Sequence, residues 1–165
     1  MLVIPTARKN EYNKEKYMLD YINLGFVSDN IIFFNDENPN SYKNLDIDLI
    51  YVCGGNTFLL QKYLKKSGFN EEIKKYISRG VIYLGASAGT HIATTNIEHV
   101  NMFDENFVNI NDYQALNLFN GIIICHYSEE REKAYRELKR YSKYKVYTLK
   151  DKELIYKEGE KVFKI

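Results

Sequence analysis

The chain lacks several features that would assign it to a specialised class of protein. Its 165 residues include no tryptophan, two prolines and two cysteines, and its 23 basic and 22 acidic side chains leave a net charge of +1. This balance gives no general attraction to nucleic acid or to an anionic membrane. No apolar run approaches the roughly 18 residues of a membrane span. The apolar start, residues 1–5, is too short for a secretory signal peptide, so we expect a cytoplasmic protein without nucleic-acid or membrane partners.

The two cysteines do not form a motif for metal binding or redox chemistry. Cys53 and Cys125 each end an apolar run. This position predicts buried, reduced thiols and no structural disulfide. The chain has no Cys-x-x-Cys pair, which would be the sign of a zinc site. We therefore expect neither a metal nor a cofactor.

What the chain does have is a regular alternation of short apolar runs and helical patterns. Hydrophobic residues make up 45% of a chain whose length suits one domain, residues 1–165. Helices are predicted at 10–24, from about residue 57 through Leu64, at 70–79 and at 128–141. Residues 94–120 are predicted to be rich in loops. Strands are predicted at 2–4, 31–34, 49–53, 81–84, 121–125, 145–149, 154–156 and 162–165. The alternation predicts an α/β three-layer sandwich with a largely parallel central sheet and helices on both of its faces.

The most informative motif is Gly-Ala-Ser-Ala-Gly at residues 85–89, which follows an apolar strand and opens a helix-like segment. It matches the G-x-S-x-G nucleophile elbow, whose sharp turn projects a serine hydroxyl out of the sheet. Small neighbours are needed because the turn is tight. Ser87 is therefore a candidate nucleophile, and the backbone N–H of Ala88 is a candidate donor to an oxyanion.

A serine nucleophile needs a base, and the chain has three histidines. His126 follows the strand predicted at 121–125, so it should emerge at the same sheet edge as Ser87. His91 lies one helical turn past Ser87 and should point away, and His99 lies in the loop-rich region. We expect His91 and His99 to be structural or solvent-facing. For His126 the alternative to a catalytic base is a strand-end histidine bound to a backbone carbonyl.

The histidine in turn needs an acceptor that fixes its tautomer. Asp151 follows the strand predicted at 145–149, and Glu153 is close by. Spacing alone leaves open whether Asp151 is this acid or a solvated aspartate in a turn. The chain order nucleophile–His–acid differs from the nucleophile–acid–His order of α/β-hydrolases, which argues against that fold.

A second turn, Gly54-Gly55-Asn56-Thr57, ends the strand predicted at 49–53 and opens a helix. Such a turn presents backbone N–H groups and resembles a phosphate cradle. It lacks the Gly-Lys-Ser/Thr ending of a P-loop and the spacing of a dinucleotide fingerprint. A second oxyanion donor beside Ser87 fits this turn better than a nucleotide site does.

Together these motifs resemble a known family. Cys-Gly-Gly-Asn-Thr-Phe at 53–58, the elbow at 85–89, Ala-Leu-Asn-Leu-Phe at 115–119 and the strand-end His126 resemble the dipeptidase E and cyanophycinase-like serine peptidases. The resemblance covers nearly the whole chain and implies the fold of class I glutamine amidotransferases. It implies that Ser87 is the nucleophile, His126 the base and Asp151 the acid. The family has glutamate at the acid position, which leaves Glu153 as a reserve candidate.

The resemblance also implies an activity and a substrate site. It implies hydrolysis of short peptides through an acyl-enzyme, with dipeptides bearing an N-terminal aspartate as candidate substrates. The implied oxyanion donors are Gly55 and Ala88, and the implied substrate-binding residues are Gly54, Asn56 and Arg131. A guanidinium suits an aspartate carboxylate, but Arg131 is flanked by glutamates and could instead make helix-surface pairs.

Two other functions remain open at this point: a related amidase or esterase with the same triad, and a non-catalytic binding domain of the same fold. A cysteine-dependent glutaminase is disfavoured because Ser87 holds the nucleophile position. Members of the family usually begin with a further strand and helix before the segment that matches residues 2–5. We therefore expect the fold to lack that unit, and an exposed sheet edge to permit a homodimer.

Overall fold

The structure is a computed structural model that describes residues 1–8 and 12–165. It has the predicted α/β architecture. The strands are β1 (Leu2–Ile4), β2 (Ile32–Phe33), β3 (Leu49–Val52), β4 (Ile82–Gly85), β5 (Ile122–Ile124), β6 (Val146–Thr148), β7 (Ile155–Glu158) and β8 (Lys161–Lys164). The helices are α1 (Lys14–Asn23), α2 (Thr57–Ser67), α3 (Phe69–Ser78), α4 (Ala88–Ala93) and α5 (Glu132–Tyr141).

The ends of two helices differ from the sequence prediction. The start predicted for the first helix, Asn10, lies outside the described residues, and Asn13 caps α1 by accepting the N–H of Lys16 at 2.9 Å. The last predicted helix begins with a 3₁₀ turn, Glu129–Arg131, before α5. The region 94–120 contains the 3₁₀ turn Glu98–Met102 and a single bridge between Asn96 and Gln114.

The central sheet is parallel and has the strand order β2-β1-β3-β4. β5 and β6 form a separate parallel pair, and β7 and β8 form an antiparallel hairpin. Parallel strands present their carboxyl ends at one edge of a sheet, which is where α/β proteins bind ligands. The segments that follow β1, β3 and β4 therefore meet at the same edge.

Alternation along the strands divides the core between two faces of the sheet. Leu2 and Ile4 of β1 point to the face covered by α2, α3 and α4. Val3 points to the opposite face, where it packs with Tyr21 of α1. Because helices cover both faces, the sheet is the middle of three layers.

One part of the sheet is not covered. β4 is an edge strand of the four-stranded sheet, and on the face that α1 covers elsewhere its side chains Ile82 and Leu84 are 64% and 41% exposed. β4 therefore presents two apolar side chains to solvent, and the exposed sheet edge expected from the sequence stays a prediction.

Cys53 and Cys125 are both buried and form no disulfide, as predicted. Within the described residues, no helix combines the length and the apolar character needed to cross a bilayer.

Candidate active site

Ser87 occupies a strained turn between β4 and α4, with φ 49° and ψ −104°. A side chain in such a conformation costs on the order of 1–3 kcal/mol, which the surrounding packing must offset. A Cβ added to Gly89 would lie 2.2 Å from the Val52 carbonyl oxygen, and one added to Gly85 would lie 2.6 Å from the Gly89 carbonyl oxygen. Only glycine at both positions lets α4 pack this tightly onto the sheet, so the G-x-S-x-G pattern has a steric basis here.

Three side chains from distant parts of the sequence meet beyond the ends of β4, β5 and β6. His126 Nε2 lies 2.9 Å from Ser87 Oγ, and His126 Nδ1 lies 2.6 Å from Asp151 Oδ1. Since a carboxylate can only accept, Nδ1 carries the proton of a neutral ring and Nε2 is left to accept from the serine hydroxyl. The His126 and Asp151 side chains are 49% and 78% exposed, so the arrangement is open to solvent.

His126, like Ser87, has a positive φ, of 51°. Its neighbours hold it on both sides: the Arg131 guanidinium binds the Cys125 carbonyl at 2.7 Å, and the Tyr127 N–H donates to Leu149 at 3.0 Å. The first contact ties the residue before the imidazole to the turn Glu129–Arg131, and the second ties the residue after it to the end of β6. The histidine is thereby aimed across the gap between β5 and β4.

The structure distinguishes the two carboxylates considered for the acid. Glu153 accepts the N–H of Lys150 at 2.7 Å and pairs with Lys164 Nζ at 2.7 Å. The hydrogen bond from Lys164, followed by that from Lys150, holds the pKa of Glu153 below its usual value. Of the two, it is Asp151 that contacts His126.

The Gly54–Thr57 turn lies against Ser87. A Cβ added to Gly54 would be 3.2 Å from Ser87 Cβ, and one added to Gly55, which has φ +140°, would be 2.3 Å from the Ala7 carbonyl oxygen. Ala88 is the first residue of α4, where backbone N–H groups have no partner within the helix. The two backbone segments expected to bind an oxyanion therefore flank the serine; the donor roles of Gly55 and Ala88 remain predictions.

The side chains of Asn56 and Arg131, predicted to bind substrate, are engaged elsewhere. Asn56 Oδ1 caps α2 by accepting the Leu59 N–H at 2.9 Å, and its Nδ2 donates to the Glu105 carbonyl at 2.9 Å. Arg131 binds a backbone carbonyl rather than the glutamates beside it, and its Cζ lies 4.3 Å above the Phe103 ring. These contacts give both residues a structural role, and neither lines the cleft beside Ser87.

That cleft has a volume of about 360 Å³ and includes Ser87 and His126 in its wall. Its other lining residues are Arg8, Tyr17, Asp20, Tyr21, Tyr51, Cys53, Gly54 and Ala86. Gly54 is the predicted substrate-binding residue that the structure places here. The sequence interpretation did not single out Arg8 or the tyrosines, because they belong to no motif. The signal available for Arg8 was its position a few residues past the carboxyl end of a predicted strand.

His91 and His99 are buried, which agrees with a structural role and shows that the solvent-facing alternative is wrong. His91 Nδ1 lies 3.1 Å from Thr57 Oγ1, and His99 Nε2 donates to the Ile123 carbonyl at 3.0 Å. Their rings meet edge to face, with centroids 5.6 Å apart. Burial lowers the pKa of both, that of His91 well below 6.5. His91 thus links α4 to the first residue of α2, behind the two turns that flank the serine.

Comparison with known proteins gives a consistent picture. A family model described as Peptidase family S51 matches residues 1–165. An uncharacterized peptidase of Listeria monocytogenes, Lmo0363, is 35% identical over 120 residues, which are 70% of this chain and 58% of that protein. Peptidase E of Escherichia coli is 35% identical over 100 residues, which are 55% of this chain and 43% of that protein. The chain therefore spans about two fifths to three fifths of the length of these relatives.

A crystal structure of a Listeria monocytogenes EGD-e protein, provisionally described as a Peptidase E, has a similar fold. It superposes with a TM-score of 0.79 at 28% identity and covers 99% of this chain and 85% of its own. The fold described above is thus found in a solved structure over nearly its whole extent.

Proposed function

This chain belongs to peptidase family S51, and from that membership we propose that it hydrolyses short peptides with Ser87 as nucleophile, His126 as base and Asp151 as the orienting acid. The observation that carries the proposal is the pair of hydrogen bonds, 2.9 Å and 2.6 Å, that connects these side chains in the order hydroxyl, imidazole, carboxylate. A histidine with only a structural role would need no such sequence of partners.

In the first half of the reaction, Ser87 Oγ attacks the carbonyl carbon of the substrate while its proton passes to His126 Nε2. Asp151 accepts from Nδ1 throughout, which holds the ring in place and stabilises the imidazolium that forms. The carbonyl oxygen gains negative charge, and the N–H groups of Gly55 and Ala88 are the proposed donors to it. When the tetrahedral intermediate collapses, His126 gives its proton to the leaving amine.

The product of this half is an ester between Ser87 and the acyl part of the substrate. In the second half a water molecule takes the place of the amine. His126 Nε2 removes a proton from the water as it attacks the ester, and then returns that proton to Ser87 Oγ. The free acid leaves, and the side chains regain their starting protonation states.

The substrate assignment is finer than the family membership and belongs to the proposal. We favour dipeptides, with those that begin with aspartate as the first to test. An amidase or esterase would use the same three side chains, and a non-catalytic binding domain would use none of them for chemistry. A cytoplasmic location and the absence of nucleic-acid partners also stay predictions.

The experiment measures hydrolysis of Asp-X, Glu-X and neutral dipeptides, together with a simple amide and a simple ester. Ser87→Ala and His126→Ala should each lower kcat/KM by at least about 10³-fold and to similar levels, because triad members act as a unit. Ser78→Ala, which changes an exposed serine on α3, is the matched control and should keep the wild-type rate. Equal rates for Ser87→Ala and wild type would contradict the proposal. Inertness of the wild type toward every substrate would favour a binding domain.

A further inference from the structure

Arg8 is held at the cleft by backbone contacts of the 3₁₀ turn Thr6–Arg8. Thr6 and Ala7 are buried, and the Arg8 N–H donates to the Pro5 carbonyl at 2.8 Å. The Ala7 carbonyl accepts the Asn56 N–H at 3.0 Å, so this turn is bonded to the turn that flanks Ser87. The position of Arg8 relative to the serine is therefore fixed by the main chain.

Contacts within residues 1–8 and 12–165 orient the guanidinium and engage two of its nitrogens. Its Nε donates to the Gly54 carbonyl at 2.9 Å, its Nη1 donates to the Tyr17 hydroxyl, and its Cζ lies 5.6 Å from the Tyr17 ring centroid. An arginine has five N–H donors in a planar fork. Of the carboxylates that the structure describes, none lies within the 4.0 Å of an ion pair with Arg8, including Asp20 in the same cleft. Among the described residues, Nη2 has no acceptor, and this is the nitrogen we assign to a ligand.

Arg8 and the serine are also close enough to act on one small molecule. A Cβ added to Gly54 would lie 3.2 Å from Ser87 Cβ and 3.8 Å from Arg8 Nη2. Because both distances are measured from one point, Arg8 Nη2 lies no more than about 7 Å from Ser87 Cβ. The guanidinium is thus within reach of a substrate group only a few bonds from the carbonyl that Ser87 attacks.

We propose that Arg8 binds a carboxylate of the substrate beside Ser87 and so determines which peptides are cleaved. The proposal rests on the proposed function and adds to it the residue that binds the substrate carboxylate, a group three bonds from the scissile carbonyl carbon. Two sources have this geometry, the side chain of an N-terminal aspartate and the terminal carboxylate of a dipeptide. Arg131, held by Cys125 and Phe103 outside the cleft, does not supply this contact.

The kinetic test compares matched substrates in matched variants. For each enzyme, kcat/KM is measured for Asp-X against Asn-X, and for Asp-X against its C-terminal amide. Arg8→Met keeps the apolar stem and should lower one of these two preference ratios by about 10- to 100-fold, the range expected for a charged hydrogen bond. Arg8→Lys should restore part of it, because lysine keeps the charge without the fork.

Two control variants complete this test. Arg131→Met should leave both ratios as in wild type, even if it slows every substrate alike. Arg79→Met, at an exposed arginine past the end of α3, should change neither rates nor ratios. A fall in the Asp-X to Asn-X ratio identifies the side-chain carboxylate, and a fall in the acid-to-amide ratio identifies the terminal one. If Arg8→Met lowers all substrates by one factor, Arg8 merely joins Gly54 to Tyr17 and the proposal is overturned.

A binding measurement separates this proposal from the hydrolase mechanism. Ser87→Ala cannot form an acyl-enzyme, so calorimetry can follow its binding of intact Asp-X dipeptide. Adding Arg8→Met to Ser87→Ala should weaken that binding at least tenfold, and adding Arg79→Met should not. This result would sustain the carboxylate site even if the wild type hydrolysed nothing. Unchanged affinity in Ser87→Ala with Arg8→Met would refute the site while leaving any measured hydrolysis intact.

Discussion

Ser87 and His126 share an unusual feature: both have side chains yet adopt φ near +50°. Each residue follows a strand, and the turn there aims its side chain along the sheet edge instead of continuing the strand. The G-x-S-x-G motif predicted such a turn at Ser87, because glycines on both sides indicate a tight turn. Nothing in the sequence predicts it for His126, whose conformation depends on contacts from Arg131 and from the end of β6. Arg8 was not singled out for a related reason, since its place in the cleft depends on neighbours supplied by other segments.

At the residue scale, Asp151→Asn should lower kcat/KM by at least about 10²-fold. The amide would offer N–H or C=O to His126 Nδ1 and no longer favours the tautomer that leaves Nε2 free. Glu153→Gln is the matched control, because Glu153 binds Lys150 and Lys164 instead of the imidazole. Steady-state kinetics on the best dipeptide checks both variants. A larger loss in Glu153→Gln than in Asp151→Asn would show that the acid has been misassigned.

The buried pair His91 and His99 predicts a loss of stability in mild acid. Burial lowers the pKa of both rings below 6.5 in the folded protein. At any pH between 6.5 and this lowered pKa, the unfolded chain therefore binds more protons than the folded protein does. The free energy of unfolding should therefore fall as pH drops below about 6.5, by up to about 1.4 kcal/mol per histidine for each pH unit. Urea unfolding at pH 7.5, 6.5 and 5.5 measures this free energy of unfolding. A free energy that stays level over this range would contradict the prediction.

At the scale of elements, hydrophobic patterning located the strands to within a residue or two, because buried parallel strands are short, continuous apolar runs. It did not resolve residues 94–120. That segment is held by contacts that leave no period in the sequence: the Thr94 hydroxyl donates to the His91 carbonyl at 2.7 Å, and the Leu116 N–H donates to the Ile92 carbonyl at 2.9 Å. Order there comes from packing against α4 and not from local propensity.

The close approach of α4 to β3 gives a prediction at this scale. Gly89→Ala should lower the free energy of unfolding by about 3 kcal/mol or more, since the new Cβ would lie 2.2 Å from a backbone oxygen that cannot move aside cheaply. Gly159→Ala is the control, because a Cβ there would meet nothing within 4 Å and carries only the cost of φ +56°, about 1 kcal/mol. Urea titrations of both variants provide the comparison. Equal losses would show that the contact with β3 is not what requires glycine in the elbow.

At the scale of the whole molecule, the parallel topology explains why the sequence could predict which of these residues lie together. The carboxyl ends of parallel strands share an edge, so Ser87 and the Gly54–Thr57 turn had to be neighbours once β3 and β4 paired. The pairing of β5 with β6 brings His126 and Asp151 together by the same rule. The sequence did not predict that β1 to β4 form one sheet and β5 and β6 another, because the order of strands in a sheet leaves no local pattern in the sequence. Because β4 is the last strand of the four-stranded sheet, it also has an exposed face.

We expect that a second copy of the chain covers this face. β4 is the last strand of its sheet and has Ile82 and Leu84 exposed, and edge strands are normally paired or protected. Sedimentation velocity should show a dimer whose population rises with concentration, and Ile82→Lys should shift it toward monomer. Leu19→Lys, which alters a residue 62% exposed on α1, should not. A monomer at every concentration would contradict this expectation.

The central claim, that Ser87 is a nucleophile activated by His126, is tested most directly by reaction with a fluorophosphonate, followed by intact mass and peptide mapping. The wild type should gain one adduct on the peptide that contains Ser87. Ser87→Ala should gain none there, and His126→Ala should react at least about 10²-fold more slowly. An unlabelled wild type, an adduct on another serine, or a wild-type labelling rate in His126→Ala would contradict the account.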